Sequence, residues 1–398
     1  LRQSVVTAPM VFVLFGLLIG DAGFRLLEFQ LANNAIYFLA ELTLVIVLFT
    51  DASRIDLKLL YREHNLPVRL LTIGLPLSIA FGTLIAWLLL QELGFWQAAV
   101  LATIVTPTDA ALAHVVVTNK LVPIRIRQSI SVESGLNDGL CLPLFLIFLC
   151  GARVAEHPES TAYWVRFTAM QVGLGPLVGI GVGYVGGKLI EHASRREWIS
   201  HSFLELTTLA LALLSFGAAE LVGGNGFIAA FCAGLTIGNV SRALCGAVRE
   251  FAETEGQLLT LLVFLVFGAV LLPQAFANIT FLGFFYSIMG MTVLRMLPVA
   301  VSLVGTRLRR DTRLFVGWFG PRGVASIVFA LVLMEEIAIP ARQEVFAVAM
   351  ATVALSVFSH GLTAYPAAKW YARRTTATKK LGAAAEHESI NEMPFHRY

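Results

Sequence analysis

Residues 133–139 read Glu133-Ser134-Gly135-Leu136-Asn137-Asp138-Gly139 within an otherwise apolar run, Ser129–Cys150. On a helix, side chains four apart share a face, so Ser134 and Asp138 line one face together. Glu133 and Asn137 line another, about 100° around. The first face offers a hydroxyl and a carboxylate, hard oxygen ligands of the kind that hold a small monovalent cation such as Na+. A carboxylate also binds a proton, so one position can exchange the two. The second face offers a carboxylate able to pair with an arginine and an amide able to fix its geometry. Gly135 and Gly139 let a neighbouring helix approach closely.

Two further segments place polar groups inside apolar runs. Thr106-Pro107-Thr108-Asp109 interrupts one, and Gly320-Pro321-Arg322-Gly323 interrupts another. Proline removes a backbone donor and glycine loosens a helix. Unwound backbone at membrane depth is tolerated only where it is buried in protein or lines a watery cavity. Asp109 either ligates a cation or caps the N-terminus of a half-helix. Arg322 either offsets the negative ends of half-helices whose carbonyls are freed or pairs with an acid, Asp109 or Asp138. A charge at the centre of a span costs about 2.5–3.5 kcal/mol, so Asp109, Glu133, Asp138, Arg295 and Arg322 are expected to pair or to work. Glu133 is expected to pair with Arg295. Three acids against two arginines leave one negative charge, which suits a pocket for one monovalent cation. Glu41 and Asp51 are weaker candidates. Glu205 and Glu220 fall near span ends as solvated carboxylates, and His114 reads as a hydrogen-bonded packing residue.

The elements that carry these groups are set by composition. Hydrophobic residues make up 57% of the 398, charged residues only 14%, and mean hydropathy is +0.77. A soluble domain carries roughly 25% charge. The apolar residues come in runs rather than in alternation, which predicts membrane helices and excludes a barrel. Twelve spans are expected: Val5–Gly20, Ile36–Thr50, Leu70–Leu90, Ala98–Val117, Ser129–Cys150, Thr168–Gly187, Phe203–Leu221, Phe227–Val240, Leu258–Leu272, Phe281–Val304, Leu314–Met334 and Val345–Tyr365. Twenty-three of the 29 Lys and Arg then fall on one side and four on the other, with Arg295 and Arg322 inside spans. The positive-inside rule places both ends of the chain in the cytoplasm. The two interrupted spans lie seven apart and so run in opposite directions, the arrangement of inverted repeats around a transport site. Residues 1–374 form the membrane domain, and the polar residues 375–398 are expected as a disordered cytoplasmic tail. Cys141, Cys150, Cys232 and Cys245 have no metal-ligand spacing and read as small apolar residues. No signal peptide is visible.

The string Thr106-Pro107-Thr108-Asp109, then Val132 through Gly139, then Gly320-Pro321-Arg322-Gly323 resembles the NhaP-type monovalent cation/proton antiporters of the Na+/H+ exchanger family. The resemblance covers nearly the whole chain. It implies an all-α polytopic fold of thirteen helices with inverted repeats and two crossed discontinuous helices, assembled as a homodimer. Against the twelve spans here, it places one more helix before Leu1. It implies that Asp138 binds the cation or the proton, that Ser134 and the Thr108 backbone are co-ligands, and that Asp109 belongs to the crossover of the broken helices. It also matches Arg295 to the arginine that pairs with Glu133. The Asn137-Asp138 pair resembles the electroneutral class. Where many relatives have Glu-Gly-Gly, this chain has Thr50-Asp51-Ala52, so the contribution of that helix stays open.

The residues and the resemblance together imply a secondary antiporter exchanging Na+, Li+ or K+ for H+ by competition at Asp138, in the lipid of a bacterial inner membrane. The cation and the proton are substrates, no resident cofactor is expected, and nothing points to nucleic acid. A channel wants rings of charges or carbonyls from symmetry-related subunits, and two different broken helices in one chain argue against that. No His-Glu-x-x-His and no nucleophile elbow mark an enzyme. Asp109 with Asp138 imitates a paired-carboxylate membrane protease, but two arginines answer their charge.

Overall fold

A backbone surrounded by hydrocarbon must satisfy its own hydrogen bonds, and in the computed structural model of this protein the regular elements among the described residues are helices. The structure describes residues 6–26, 34–62, 65–119, 122–379 and 386. At 61–62, 114–115, 159, 201–202, 242–245, 249 and 376–379 it describes backbone alone, so the side chains of His114 and Cys245 lie outside the described residues.

In chain order the helices of eight or more described residues are α1 (Ala8–Ile19), α2 (Asn34–Ser53), α3 (Asn65–Leu89), α4 (Phe95–Val105), α5 (Ala110–Val117), α6 (Ile124–Glu156), α7 (Thr161–Arg195), α8 (His201–Leu221), α9 (Gly226–Val240), α10 (Gly246–Asn278), α11 (Phe281–Ser302), α12 (Arg310–Trp318), α13 (Val324–Glu335) and α14 (Arg342–Lys379). Eight helices among the described residues are long and apolar enough to cross a membrane. Each expected apolar span falls on a helix. The spans at 98–117 and 314–334 are each two helices, separated by the residues that carry the Pro and Gly. Long lipid-type side chains face outward, including Leu177, Tyr184 and Leu189 on α7, while polar residues such as Thr108, Glu133 and Asp138 are buried.

Small residues set how closely these helices approach. Gly175, Gly179 and Gly183 lie at four-residue spacing on α7 against the backbone of Asn225, Ala229 and Ala233. On its other side, α9 presses Gly234 and Gly238 against the carbonyls of Phe49 and Ser53 in α2. Such contacts replace hydrophobic driving force with close van der Waals packing. A methyl at Gly234 would overlap the Phe49 oxygen, whereas one at Gly181 meets nothing within 4 Å. Gly234→Ala is therefore expected to cost about 1–3 kcal/mol and Gly181→Ala almost nothing, read as melting temperatures in detergent.

The last helix runs on past residue 374. α14 continues to Lys379 because its end is tied to α12. The Tyr371 ring stacks on Phe315 with centroids 4.3 Å apart, and its hydroxyl lies 3.0 Å from Thr312 Oγ1. Glu386 is buried and accepts hydrogen bonds from the Arg309 N–H (2.9 Å) and the Thr312 hydroxyl (2.7 Å) at the start of α12. Residues 380–385 and 387–398, where a disordered tail is expected, lie outside the described residues.

Candidate functional site

The two breaks meet. The Asp109 N–H in the first donates to the Pro321 carbonyl in the second, 2.7 Å away. Gly320 lies against the Thr108 methyl and the Arg295 guanidinium, and Gly323 lies directly against the Asp109 carboxylate, with no room for a side chain at either. Proline and glycine thus do two things here. They end four half-helices, and they let the broken backbones touch.

Asp109 uses both carboxylate oxygens as caps. Its Oδ1 accepts from the N–H groups of Ala111 (2.7 Å) and Leu112 (3.0 Å) in the first turn of α5. Its Oδ2 accepts from Val324 N–H (3.1 Å), the first residue of α13. Of the two roles open for Asp109, the geometry supplies the cap, and it serves two helices rather than one. An Asn at this position has one acceptor oxygen and must turn its NH2 toward one of those donors. Asp109→Asn is expected to cost about 1–3 kcal/mol for the buried donor left unpaired, measured by thermal unfolding in detergent.

Among the described residues, Arg322 forms no salt bridge with an acid. Its guanidinium donates to the Val105 carbonyl at the end of α4 (2.5 Å), to the Gly320 carbonyl within the break, and to Gly290 of α11 (3.2 Å). These are carbonyls at helix ends or just before a kink, where the backbone leaves them short of partners. The arginine answers the negative poles of the half-helices, one of its two expected roles.

Glu133 and Arg295 come together across α6 and α11. Arg295 Nη2 lies 2.6 Å from Glu133 Oε1, and both side chains are at most 3% exposed. A pair this deep neutralises itself and leaves the remaining charges to the site.

Asp138 is the acid left over. It is buried, and its Oδ1 has no hydrogen-bond partner. Asn137 donates to Thr108 Oγ1 (2.5 Å), and Thr108 Oγ1 lies 3.1 Å from Ser134 Oγ. The structure therefore gathers Thr108, Ser134 and Asn137 into one hydrogen-bonded cluster, with Asp138 one helical turn from Ser134 on the same face. The contacts that join Thr108 to this cluster are made by its side chain. Asp51 and Asp109 are the carboxylates that interact electrostatically with Asp138. Asp51, only a weak candidate in the sequence, thus belongs to the neighbourhood, and the α2 backbone at Asp51 lies against Gly135. Glu41 instead neighbours Glu335 and Glu220. Among the described residues no cluster of His, Cys, Asp and Glu has the spacing of a resident metal site.

Two further residues join this region that the sequence did not single out. Ser356 and His360 of α14 hold the second break from behind. The signal was faint: a serine and a histidine four apart in a buried apolar helix.

The sodium/hydrogen exchanger transmembrane family matches residues 1–370. The chain is 25% identical over 407 residues to a K+/H+ antiporter NhaP of Alkalimonas amylolytica, covering 99% of this chain and 69% of that protein. It is 25% identical to a K+/H+ antiporter NhaP2 of Shewanella baltica, covering 90% of this chain and 62% of that protein. It is 26% identical to a Na+/H+ antiporter of Schizosaccharomyces pombe, covering 79% and 71%. The fold matches the sodium proton antiporter MjNhaP1 of Methanocaldococcus jannaschii with a TM-score of 0.75 at 20% identity, covering 92% of each chain.

Proposed function

The chain belongs to the sodium/hydrogen exchanger family, and we propose that it is a secondary antiporter that exchanges a monovalent cation for H+ at Asp138. The observation that carries this reading is the unpartnered, buried Asp138 oxygen beside the Ser134–Thr108–Asn137 cluster, where two helix breaks touch. A carboxylate there can be neutralised by a proton or by a cation, with the Ser134 and Thr108 oxygens completing the coordination. An empty site leaves an unpaired buried charge, which is costly. A loaded one removes that cost and permits the switch between inward-open and outward-open states. The inverted repeat, the twelve crossings with both ends cytoplasmic, and a homodimer in a bacterial inner membrane belong to the same proposal.

With Glu133 paired and Asn137 uncharged, one cation replaces one proton, and no net charge moves. A membrane current under a cation gradient refutes that stoichiometry. The similar proteins are named for K+ in two cases and Na+ in another. A series of Na+, Li+ and K+ pulses in proteoliposomes carrying a pH-sensitive dye sets the selectivity. Because both substrates contend for one carboxylate, the cation concentration giving half-maximal flux is expected to rise as pH falls, by up to about tenfold per pH unit. A half-maximal concentration independent of pH removes the shared site.

A further inference from the structure

The second break is held at both ends by one face of α14. Trp318 is the last residue of α12, and its carbonyl has exchanged its helical partner for the N–H of Gly320, 2.9 Å away within the break. His360 Nε2 lies 2.8 Å from that carbonyl oxygen. Four residues along the break, the Arg322 N–H donates to Ser356 Oγ at 2.6 Å. Ser356 Oγ in turn lies 3.0 Å from His360 Nδ1. The Trp318 indole N–H donates to Thr363 Oγ1 at 2.9 Å, and its ring packs against the imidazole with centroids 5.2 Å apart. Residues 356, 360 and 363 follow helical spacing and share a face. Ser356 and His360 are at most 3% exposed.

Hydrogen-bond chemistry gives this chain a direction. A carbonyl only accepts, so Nε2 carries a hydrogen. Nδ1 lies 3.0 Å from both the Ser356 hydroxyl and the Ser356 carbonyl; the shorter contact of Nε2 assigns the single hydrogen of the neutral ring to Nε2, so Nδ1 accepts from the Ser356 hydroxyl. That leaves Ser356 Oγ free to accept from Arg322 N–H. The chain then runs from the Arg322 N–H to Ser356, to His360 and to the Trp318 carbonyl, which also accepts from the Gly320 N–H at 2.9 Å. A second ring proton would instead add a buried cation beside Arg322 and Arg295, the charged groups that interact with this ring.

We propose that Ser356 and His360, supported by Thr363, are positioning residues that splint the second break and so set the geometry of the cation site. The path is short. Gly320 of the splinted segment lies against Thr108, and Pro321 accepts from Asp109. A break that drifts carries the Thr108 hydroxyl away from Ser134 and Asn137. None of the three residues is a ligand, and their effect reaches the cation through Thr108. The splint role rests on the antiport reading.

The test is cation-driven proton flux in proteoliposomes for the full chain and the variants His360→Leu, His360→Gln, Ser356→Ala and the Ser356→Ala/His360→Leu double. His360→Leu and Ser356→Ala are expected to raise the KM for the cation about fivefold or more, with flux at saturating cation within about twofold of wild type. His360→Gln keeps a donor for the Trp318 carbonyl and recovers most of the affinity. The double variant is expected to be no worse than His360→Leu alone, because both break the same chain. Additive losses, or an unchanged KM in Ser356→Ala, overturn the splint. If His360→Leu fails to fold, Ser356→Ala and Thr363→Val carry the same KM test. No cation-dependent flux in the wild type refutes the antiport reading instead, and the splint, which rests on it, falls as well.

Discussion

Replacing Asp138 by Asn is expected to abolish cation-dependent proton flux, by on the order of 100-fold or more, while leaving the fold intact. Asn has nearly the same shape, so the packing of α6 against α2 and α9 survives. The Oδ1 atom makes no hydrogen bond in the first place, so none is lost there, and the melting temperature should barely move. What disappears is the charge. An amide neither gains nor releases a proton in this range, and a neutral oxygen holds a desolvated cation far more weakly than a carboxylate does. Ser134→Ala is the graded control. It removes a neutral ligand and leaves the charge, so it should raise the KM for the cation and keep measurable flux. Wild-type flux in Asp138→Asn would move the exchange site to another carboxylate, and Asp51, its electrostatic neighbour, is the next to replace.

How much of this was legible in the sequence depends on how far each feature stands out from an apolar background. Asp138, Glu133 and Arg322 are conspicuous because a charge in a run of Leu, Ile and Phe has no cheap explanation. The breaks are conspicuous because Pro107, Pro321, Gly320 and Gly323 sit where a helix should be continuous. Their mutual contact was not legible. It depends on the Asp109–Pro321 hydrogen bond and on the bare Cα of Gly323, which bring together residues more than 200 apart in the chain. The double cap by Asp109 was hidden for the same reason, since a sequence shows only the helix that comes after the residue. Helix ends lie beyond the apolar runs, because those runs stop at the hydrocarbon boundary and helices do not. α6 extends to Glu156, where Arg153 pairs with Glu336 (Nε to Oε2, 2.9 Å) and lies over Trp164. α14 extends past 374 because Tyr371 and Glu386 tie its end to α12. Ser356 and His360 were invisible as a unit, since hydroxyls and a lone histidine in a membrane helix usually bond to their own backbone.

The buried Glu133–Arg295 pair gives the largest expected effect on stability, and its effect on the site has a sign. Removing either partner strands a charge that is at most 3% exposed, and breaking such a pair costs about 3–5 kcal/mol. Glu133→Gln and Arg295→Gln should therefore both lower the melting temperature by many degrees. Their effects on the cation should be opposite. Glu133→Gln leaves an unanswered positive charge in the neighbourhood that Asp138, Arg295 and Arg322 share around Cys141, and it should raise the KM for the cation. Arg295→Gln leaves a negative charge and should lower it, as long as enough protein folds to be reconstituted. Replacing both partners together, Glu133→Leu with Arg295→Met, removes no net charge and strands none. Apolar replacement of a buried pair is often neutral or stabilising, so this double variant should recover most of the melting temperature and a near-native KM. Thermal melts and flux on the same three preparations separate the two roles. If stability returns in the double variant but the KM does not, the pair contributes to cation binding through geometry as well as charge. If neither single variant shifts the KM, the field at Asp138 is set by Asp109, Asp51 and the half-helix ends instead.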